Sequence, residues 1–425
     1  MASLINILEQ KVNYQLNKYP EIKHIAKRLY QRLMCAASHK PKKRGDIIRV
    51  TPDDGYEYFF GYYDKSPWDI SGRYMLCLRT KDTWSKADNS DIAEIVMIDT
   101  FDNNATRILA TTRSWNVQQG CKLQWLGPDF SSRIIYNDVL NGNYCSIILE
   151  IATGQKHVID QPVYSVSQDG STALSLDFSR LHNLRPGYGY SNIPERTKGV
   201  SLPETTAIWK IDLNSGEVVP LLKYTDFASF QPRPEMKLQS AVHKVNHLML
   251  SPDGKRFMVL YRWFNGPRKY TRLITCNVDG SDMYLLNDDD MVSHCFWKSD
   301  EEILAFERKK NLGCGYYLMK DKTQDYQKLW PFISGDGHPS YSPTDSHTVV
   351  TDSYPNRYRI STIRVLKDND MSNDKIIAEV FCPFRYDNDT RCDCHPRWSR
   401  DGKSICFDGV FEGHRGLYMV NLKQQ

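Results

Sequence analysis

The segment "RCDCHPRWSRDG", from Arg391 to Gly402, sets two cysteines, an aspartate and a histidine side by side and then enters a turn. Thiolate sulfur and imidazole nitrogen are ligands of Zn²⁺ and other late first-row ions. Cys392 and His395 stand three residues apart. By itself this spacing does not separate a metal site from small buried side chains, which cysteines often are. The choice depends on what the rest of the chain places beside the segment.

The pattern around this segment recurs along the chain. "HPRWSRDGKSICFDG" from His395 resembles "NHLMLSPDGKRFMVLYRW", "SHCFWKSDEEILAFER" and "HPSYSPTDSHTVVTDSY", which begin at Asn246, Ser293 and His338. Weaker copies begin at Lys65, Leu123 and Val163. Each copy reads as a short strand, a turn rich in Asp, Ser or Gly, and a second strand with alternating β-branched and aromatic residues. Seven copies, most of them roughly 40 to 60 residues apart, predict an all-β chain folded as a seven-bladed β-propeller.

The repeat predicts where histidines meet. Four successive copies carry a histidine at or just before the strand expected to line the central channel: His247, His294, His338 and His395. We therefore expect four imidazoles in one funnel, and converging titratable groups in a concave site mark chemistry. His338 then lies beside Cys392 and His395, and these three are the predicted metal ligands.

Two regions depart from the repeat. Residues 1–46 predict a basic amphipathic helical extension with Ile25, Leu29 and Leu33 on one face, and an earlier helical stretch carries Leu4, Leu8, Val12 and Leu16. Such a helix either covers the flank of the main domain or lies on an anionic membrane surface. Residues 47–425 form the propeller, interrupted by a long loop at 178–204 whose length and Gly, Pro and Tyr content predict function. The strand "EYFFGYY" near Tyr58 is expected to complete the last blade.

Composition narrows the function further. Residues 1–46 carry a net charge of +7 within a total of +4, so the main body is acidic and nucleic acid is not an expected partner. No secretory signal, no membrane-spanning run and eleven cysteines predict a reducing cytoplasmic location, with contact at the inner membrane face through residues 1–46 as a further expectation. The absence of a G-x-S-x-G motif argues against a serine hydrolase with a propeller cap.

Several segments resemble a known family: "GYYDKSPW", "RPGYGY", "GDGHPSYSP", "DSYP" and "RCDCHPRWSRDGKSICFD". They are similar to bacterial seven-bladed propeller proteins related to oligogalacturonate lyase and the ulvan lyases, over roughly residue 50 to the C-terminus. The resemblance implies β-elimination of uronate-containing polysaccharide in the central groove, with a divalent metal, Zn or Mn, held by histidines and a glutamine. His338 and His395 match two of those histidines, and Cys392 stands where the glutamine would. Arg397 replaces a further histidine and cannot ligate, so the chain departs from the family's ligand set at this position.

β-Elimination assigns roles to the remaining candidates. The metal, assisted by Arg262 or Arg185, would neutralise the charge that develops on the uronate carboxylate. His247 or His294 would be the base, and Tyr188 in the long loop would be the acid. The predicted substrate-binding residues, for an acidic poly- or oligosaccharide, are Tyr63, Arg185, Tyr190, His243 and Arg397.

A second class of function stays open from the sequence. The chain would then be a non-catalytic propeller, a scaffold or polysaccharide-binding module in bacterial capsule or exopolysaccharide assembly. The histidines would be structural groups around the channel, and partners would contact the rims of the blades.

Overall fold

Seven antiparallel sheets form the body of the chain. The computed structural model describes residues 20–38, 41–85, 90–237 and 239–422. Within these residues, six sheets have four strands and one has five, and together they form the seven-bladed β-propeller that the repeats predict. In each blade the strands run up and down, and the first strand of each repeat lies innermost.

The strands follow the repeats in order around the ring. Blade 1 contains Glu57–Phe59, Tyr74–Thr80, Ala93–Asp99 and Ala105–Thr112, and blade 2 contains Gln124–Trp125, Arg133–Leu140, Asn143–Glu150 and Lys156–Ile159. Blade 3 contains Ser165–Val166, Thr172–Leu176, Thr206–Asp212 and Val218–Lys223. Blade 4 contains Val242–Leu250, Arg256–Asn265, Arg268–Asn277 and Tyr284–Asn287, and blade 5 contains Val292–Trp297, Glu302–Lys309, Gly313–Lys320 and Tyr326–Leu329. Blade 6 contains Ser340–Tyr341, Thr348–Asp352, Ile360–Lys367, Asp374–Phe381 and the added outer strand Lys43–Arg44. Blade 7 contains Arg397–Trp398, Ser404–Gly409, Gly416–Asn421 and Ile47–Arg49.

The turn after the inner strand has the same chemistry in three blades. In "SQDG", "SPDG" and "SRDG" the serine Oγ donates to the aspartate two residues later, at 2.5–2.7 Å. The glycine that follows has a φ of 70–71°, a left-handed conformation that side chains disfavour. This turn chemistry explains why the repeat is visible in the sequence.

A tryptophan at the end of the inner strand ties neighbouring blades together. The indole nitrogens of Trp125, Trp297 and Trp398 donate to backbone carbonyls in the preceding blade at 2.9–3.1 Å. All three rings are buried. This recurring hydrogen bond fixes the inner strand of each of these blades against the preceding blade, and so holds the channel-facing residues in register.

The ring closes by pairing the two ends of the propeller. Ile47–Arg49 pairs antiparallel with the last strand, Gly416–Asn421, and forms the outer strand of blade 7. The expectation that the strand near Tyr58 closes the last blade is wrong, since Glu57–Phe59 is the inner strand of blade 1. Its three residues are fully buried, which suits an inner strand and not an outer one.

One helix precedes the propeller. Helix α1 runs from Pro20 to Ala36, and the predicted earlier stretch with Leu4, Leu8, Val12 and Leu16 lies outside the described residues. No helix in the described ranges combines the length and apolar content that crossing a membrane requires.

The long loop between blade 3 strands is ordered around a buried arginine. It opens with helix α2, Phe178–Leu184, which Asp177 caps by accepting from the Arg180 backbone. The Arg180 guanidinium pairs with Glu195 at 2.6 Å and donates to the carbonyls of Val200 and Ser201. One side chain thus gathers three parts of the loop beside the channel. The other short helices are Tyr224–Ser229, Pro234–Met236 and Asn388–Thr390.

Candidate functional site

Four imidazoles meet in the central channel. They come from the inner strands of blades 4 and 5 and from the segments just before the inner strands of blades 6 and 7: His247, His294, His338 and His395. The ring centres of His294 and His338, and of His338 and His395, are 4.2 Å apart. The backbone of His247 is left-handed at φ 58°, where the strand register shifts, and His395 is left-handed at φ 46°. These local departures from strand geometry change the direction of the side chains.

Two adjacent tyrosines occupy the centre of the group. The rings of Tyr62 and Tyr63 each lie within 6.4 Å of all four imidazole rings. The Tyr63 hydroxyl donates to the Cys295 carbonyl at 2.9 Å, and its side chain is 1% exposed. Tyr63, predicted to stack on substrate, therefore supports the imidazoles from within, while Tyr62 reaches the cavity described below.

Arg397 holds the tyrosine loop in place. Its guanidinium donates to the carbonyls of Gly61 and Tyr62 at 2.6 and 2.9 Å and pairs with Asp408 at 3.0 Å. Both charged side chains are completely buried. All three guanidinium nitrogens donate hydrogen bonds to the protein. Arg397 therefore supports this loop, and its guanidinium is not free for the predicted contact with substrate.

One carboxylate joins the histidines of blades 6 and 7. Asp352 accepts hydrogen bonds from His338 Nδ1 at 2.8 and 3.0 Å, and also from the backbone nitrogens of His338 and His395. Burial lowers the pKa of His338, but the Asp352 carboxylate outweighs it, so the net pKa lies above its usual value. Since Nδ1 donates, the Nε2 lone pair of His338 is available, as in a carboxylate–histidine–metal arrangement.

The residues beside this pair fit a divalent cation. Ligand atoms of His338, Asp393 and His395 lie within 4.8 Å of one another, and all three residues are buried. His338 Nε2 and both ring nitrogens of His395 have no hydrogen-bond partner among the described residues. Buried polar atoms are normally paired, so these nitrogens call for a partner of their own. Asp393 is paired with Arg391 at 2.8 Å, which gives its carboxylate a fixed direction.

Cys392 is not part of this group. It lies in a small buried cluster with Cys382, Tyr386 and Val410, and burial raises the pKa of its thiol well above the ordinary value. In an extended segment successive side chains point to opposite sides. Asp393 and His395 therefore face the channel while Cys392 faces the blade. Of the predicted ligands, the structure brings His338 and His395 together with Asp393 and leaves Cys392 apart from them.

The two candidates for the base have different partners. His294 Nδ1 donates to Asp336 at 3.1 Å, and Ser293 fixes the same carboxylate at 2.6 Å. Burial lowers the pKa of His294 although Asp336 opposes the shift, so the imidazole is neutral near neutral pH. Its Nε2 atom is left to face the cavity.

His247, in contrast, has both ring nitrogens engaged. Nε2 donates to the Cys295 carbonyl at 3.1 Å, and Nδ1 accepts from the Tyr62 hydroxyl at 3.2 Å. Burial, with a smaller contribution from His294, lowers its pKa to about 3. Of the two alternatives, the geometry favours His294 as the group that can take a proton.

A cavity of about 170 Å³ lies beside the histidines. Its walls carry the titratable and aromatic side chains Tyr62, Arg185, Tyr188, Lys244, His247, Arg262, Lys269, His294 and Tyr354. The four predicted catalytic residues His247, His294, Tyr188 and Arg262 are all among them, as is Arg185.

The cavity wall concentrates positive charge. Lys244 and Arg262 lie directly opposite each other on adjacent strands of blade 4, and like charges in that position destabilise a sheet. None of Arg185, Lys244, Arg262 and Lys269 forms an ion pair with any residue that the structure describes. The nearby Arg262 and burial lower the pKa of Lys269 to about 8, and burial lowers that of Lys244 well below its usual value. Basic side chains without acidic partners favour an anionic ligand over a cationic one.

Comparison with known proteins adds one result. No family model and no curated protein matches the sequence. Among solved structures, an oligogalacturonate lyase in complex with manganese aligns at 15% identity with a TM-score of 0.63, covering 89% of this chain and 94% of that one. An oligogalacturonate lyase from Vibrio parahaemolyticus aligns at 13% identity and a TM-score of 0.60, covering 90% and 99%. The fold is that of oligogalacturonate lyase. The propeller domain of the Trilobed protease from Pyrococcus furiosus also aligns, at 10% identity and a TM-score of 0.52 over 87% and 94% of the two chains, so at these identities the likeness speaks for the fold alone.

Two further predicted substrate contacts lie away from the cavity. His243 donates from Nε2 to the Met236 carbonyl and accepts from Tyr261 at 2.5 Å, under the segment that follows blade 3. Tyr190 stacks on Phe178 at 4.5 Å and belongs to the core of the long loop. Both side chains are 1% exposed, so they support the walls and do not reach a ligand.

Sequence reasoning missed the residues that set the chemistry of the site. Asp336 and Asp352 orient His294 and His338, and Lys244 and Lys269 complete the positive wall. One signal was available, since Asp336 precedes His338 by two residues in "GDGH". Lys244 was also visible as a charge within the inner strand "VHKVNHLML", where solvent is excluded.

Proposed function

We propose that this protein is a polysaccharide lyase that cleaves a uronate-containing chain by β-elimination in the cavity beside the four histidines. The observation that carries the proposal is a single one. A neutral imidazole, His294, is oriented by the half-buried Asp336 carboxylate and lines a cavity walled by four basic side chains that have no acidic partner among the described residues. In this reaction a base removes the C5 proton, and the electron pair of the C5–H bond forms the C4–C5 double bond. The C4–O bond breaks, its electron pair stays with the 4-linked oxygen, and an acid protonates that oxygen.

His294 is the base in this proposal. Asp336 holds the Nδ1 proton and so presents the Nε2 lone pair to the substrate. The imidazolium that forms is stabilised by the same carboxylate, the arrangement that makes histidine an effective general base. His247 keeps Tyr62 in position and does not exchange protons.

The cationic wall binds the uronate. Arg262 offers a buried Nε that has no hydrogen-bond partner among the described residues, and Lys244, Lys269 and Arg185 add charge around the same space. As C5 loses its proton, negative charge grows on the carboxylate, and fixed cations stabilise that charge more strongly than they stabilise the ground state.

Tyr188 is the proposed acid. Its side chain lines the cavity, and its hydroxyl accepts from Arg391 Nη2 at 3.4 Å. The Arg391 guanidinium places positive charge beside the oxygen that passes its proton to the leaving group.

His338, Asp393 and His395 would hold a divalent cation, for which imidazole and carboxylate suit Zn²⁺ or Mn²⁺. Such an ion would supply Lewis acidity to stabilise the charge that develops on the substrate carboxylate. Asp352 and Arg391 fix the first and second of these side chains in the orientation that ligation needs.

The thiols support a cytoplasmic location for this activity. All eleven cysteines are free, and nine of the ten that lie in the propeller, all except Cys314, are buried. Free thiols persist in a reducing compartment. Fractionation of cells that express the protein tests the location directly.

The proposal is tested by incubating the protein with a panel of uronate polymers and following the absorbance of the unsaturated uronate product. We expect product from at least one polymer, and loss of it in His294→Ala. Binding of a polymer without unsaturated product would instead identify the chain as a binding module of the capsule-assembly kind. Failure to bind any acidic polysaccharide would reject both functions.

A further inference from the structure

Helix α1 turns an apolar stripe toward solvent. Ile25, Leu29 and Leu33 recur every fourth residue, so they lie on one side of the helix. They are 59%, 59% and 70% exposed, the largest exposures of any group of apolar side chains within one helix of the described chain. An amphipathic helix that serves only to cover a domain would bury this stripe.

The polar side of the helix makes the contacts with the propeller. Gln31 is 3% exposed and donates to the Asn356 carbonyl at 3.3 Å, and Arg28 pairs with Asp387. The guanidinium groups of Arg28 and Arg32 lie over the Phe384 ring at 5.8 and 5.7 Å. The helix is therefore fixed to the propeller through its polar groups, and its apolar side is presented outward.

The loops that hold the helix also build the functional site. Asn356 lies two residues after Tyr354, which lines the cavity, and the same loop follows Asp352. Asp387 and Phe384 precede the segment that carries Asp393 and His395. Any external surface that binds helix α1 would therefore lie beside the end of the channel that carries the histidines.

The charge of this region selects the kind of surface. Residues 1–46 carry a net charge of +7, whereas the rest of the chain is negative. Arg32 borders the stripe on the helical wheel and is exposed. Apolar side chains flanked by basic ones are the arrangement of helices that lie in the interface of anionic membranes.

We propose that helix α1 docks the propeller on an anionic membrane surface, with Ile25, Leu29 and Leu33 entering the membrane interface. The cavity would then face the space next to the membrane. The proposal does not depend on the lyase reaction.

The test is co-sedimentation of the full chain with phospholipid vesicles. We expect binding to vesicles of phosphatidylcholine mixed with phosphatidylglycerol, weakening as salt is added because the charge attraction is screened. The variant Ile25→Ser/Leu29→Ser/Leu33→Ser should bind at least about tenfold less, since three apolar side chains no longer enter the interface. Leu33→Glu alone, at the most exposed position, should weaken binding independently because it adds a charge that anionic headgroups repel.

A matched control comes from blade 1. Ile92, Phe101 and Ile108 are 48%, 74% and 48% exposed, and their replacement by serine should leave vesicle binding unchanged. The proposal is overturned if the helix variant binds the anionic vesicles as well as wild type does, or if wild type does not bind them. It is also overturned if wild type binds equally well to vesicles of phosphatidylcholine alone. A wild-type dimer that the stripe variant converts to a monomer in light scattering would assign the stripe to a second copy and also overturn it.

Discussion

At the scale of single residues, hydrogen-bond partners divide the work among similar side chains. His247 and His294 both border the cavity, yet a carbonyl and a tyrosine occupy both nitrogens of His247, while Asp336 leaves one nitrogen of His294 available. His338 and His395 differ again, since their unpaired nitrogens lie next to Asp393. In the proposed function, four residues of one type thus serve as a base, a support and two metal ligands.

The first prediction concerns the base. His294→Ala should lower kcat by about 100-fold or more, the usual contribution of a general base. Asp336→Asn should lower kcat less, with little change in KM, because it disturbs the orientation of the imidazole and leaves the binding wall intact. Steady-state kinetics on the polymer that gives product measures both. A His294→Ala variant with wild-type kcat would remove the base assignment.

A second prediction uses the lysine of lowered pKa. Below its pKa of about 8, Lys269 is charged and attracts the uronate, and as pH rises through that value the charge and part of the affinity are lost. KM should therefore rise by about tenfold across pH 8, the value of one charge-assisted hydrogen bond. Lys269→Arg should abolish the rise by keeping the charge, whereas Lys269→Gln should have the higher KM throughout. A rise that persists in Lys269→Arg would assign it to another group.

Metal binding gives the third prediction. His338→Ala and His395→Ala should each weaken binding of Mn²⁺ or Zn²⁺ by about tenfold or more, measured by calorimetry on metal-stripped protein. Cys392→Ser is the control and should bind as wild type does, because the thiol faces the apolar cluster. Loss of metal in Cys392→Ser would restore the thiolate to the ligand set.

At the scale of elements, the site depends on loops that strands and buried ion pairs hold in place. The tyrosine loop after the inner strand of blade 1 reaches the channel because Arg397 of blade 7 binds two of its carbonyls. The long loop reaches the cavity because Arg180 binds it at three points. Both arginines are buried, and a buried charge is tolerated only when its partners remain.

The fourth prediction follows from the Arg397–Asp408 pair. Asp408→Asn should lower the free energy of unfolding by about 3–5 kcal/mol, because it leaves the Arg397 charge buried without a counter-ion. The double variant Arg397→Met/Asp408→Asn should recover part of that loss, since no uncompensated charge remains. Urea unfolding measures both. Additive losses in the double variant would show that the two groups do not act as a pair.

At the scale of the whole molecule, the closed ring brings distant residues together. Blades 4 to 7 supply the histidines, from the inner strands of blades 4 and 5 and from the segments just before the inner strands of blades 6 and 7, and the tryptophan bonds between blades keep those strands in register. Closure itself depends on three residues near the start of the propeller, Ile47–Arg49, which complete blade 7. Helix α1 lies outside this closure and contributes nothing to the ring of sheets.

The fifth prediction separates these two N-terminal parts. Removing residues 1–41 should leave the melting temperature close to that of the full chain, because the closing strand is kept. Removing residues 1–49 should lower it clearly and broaden the transition, because blade 7 loses its outer strand and the ring opens. Differential scanning calorimetry compares the two, and equal melting temperatures would show that the closing strand is dispensable.

The sequence by itself determined the ring and the approximate meeting place of the four histidines. Turn chemistry and strand alternation are local properties, and they repeat with the blades, so His247, His294, His338 and His395 could be placed at equivalent positions. Local patterns do not reveal which way a side chain turns where the strand is irregular, or what lies opposite it. Only the tertiary structure placed Asp393 beside His338 and His395 and Cys392 in an apolar cluster, set Asp336 against His294, and buried His243, Tyr190 and Arg397 within the protein, because each depends on atoms contributed by other parts of the chain.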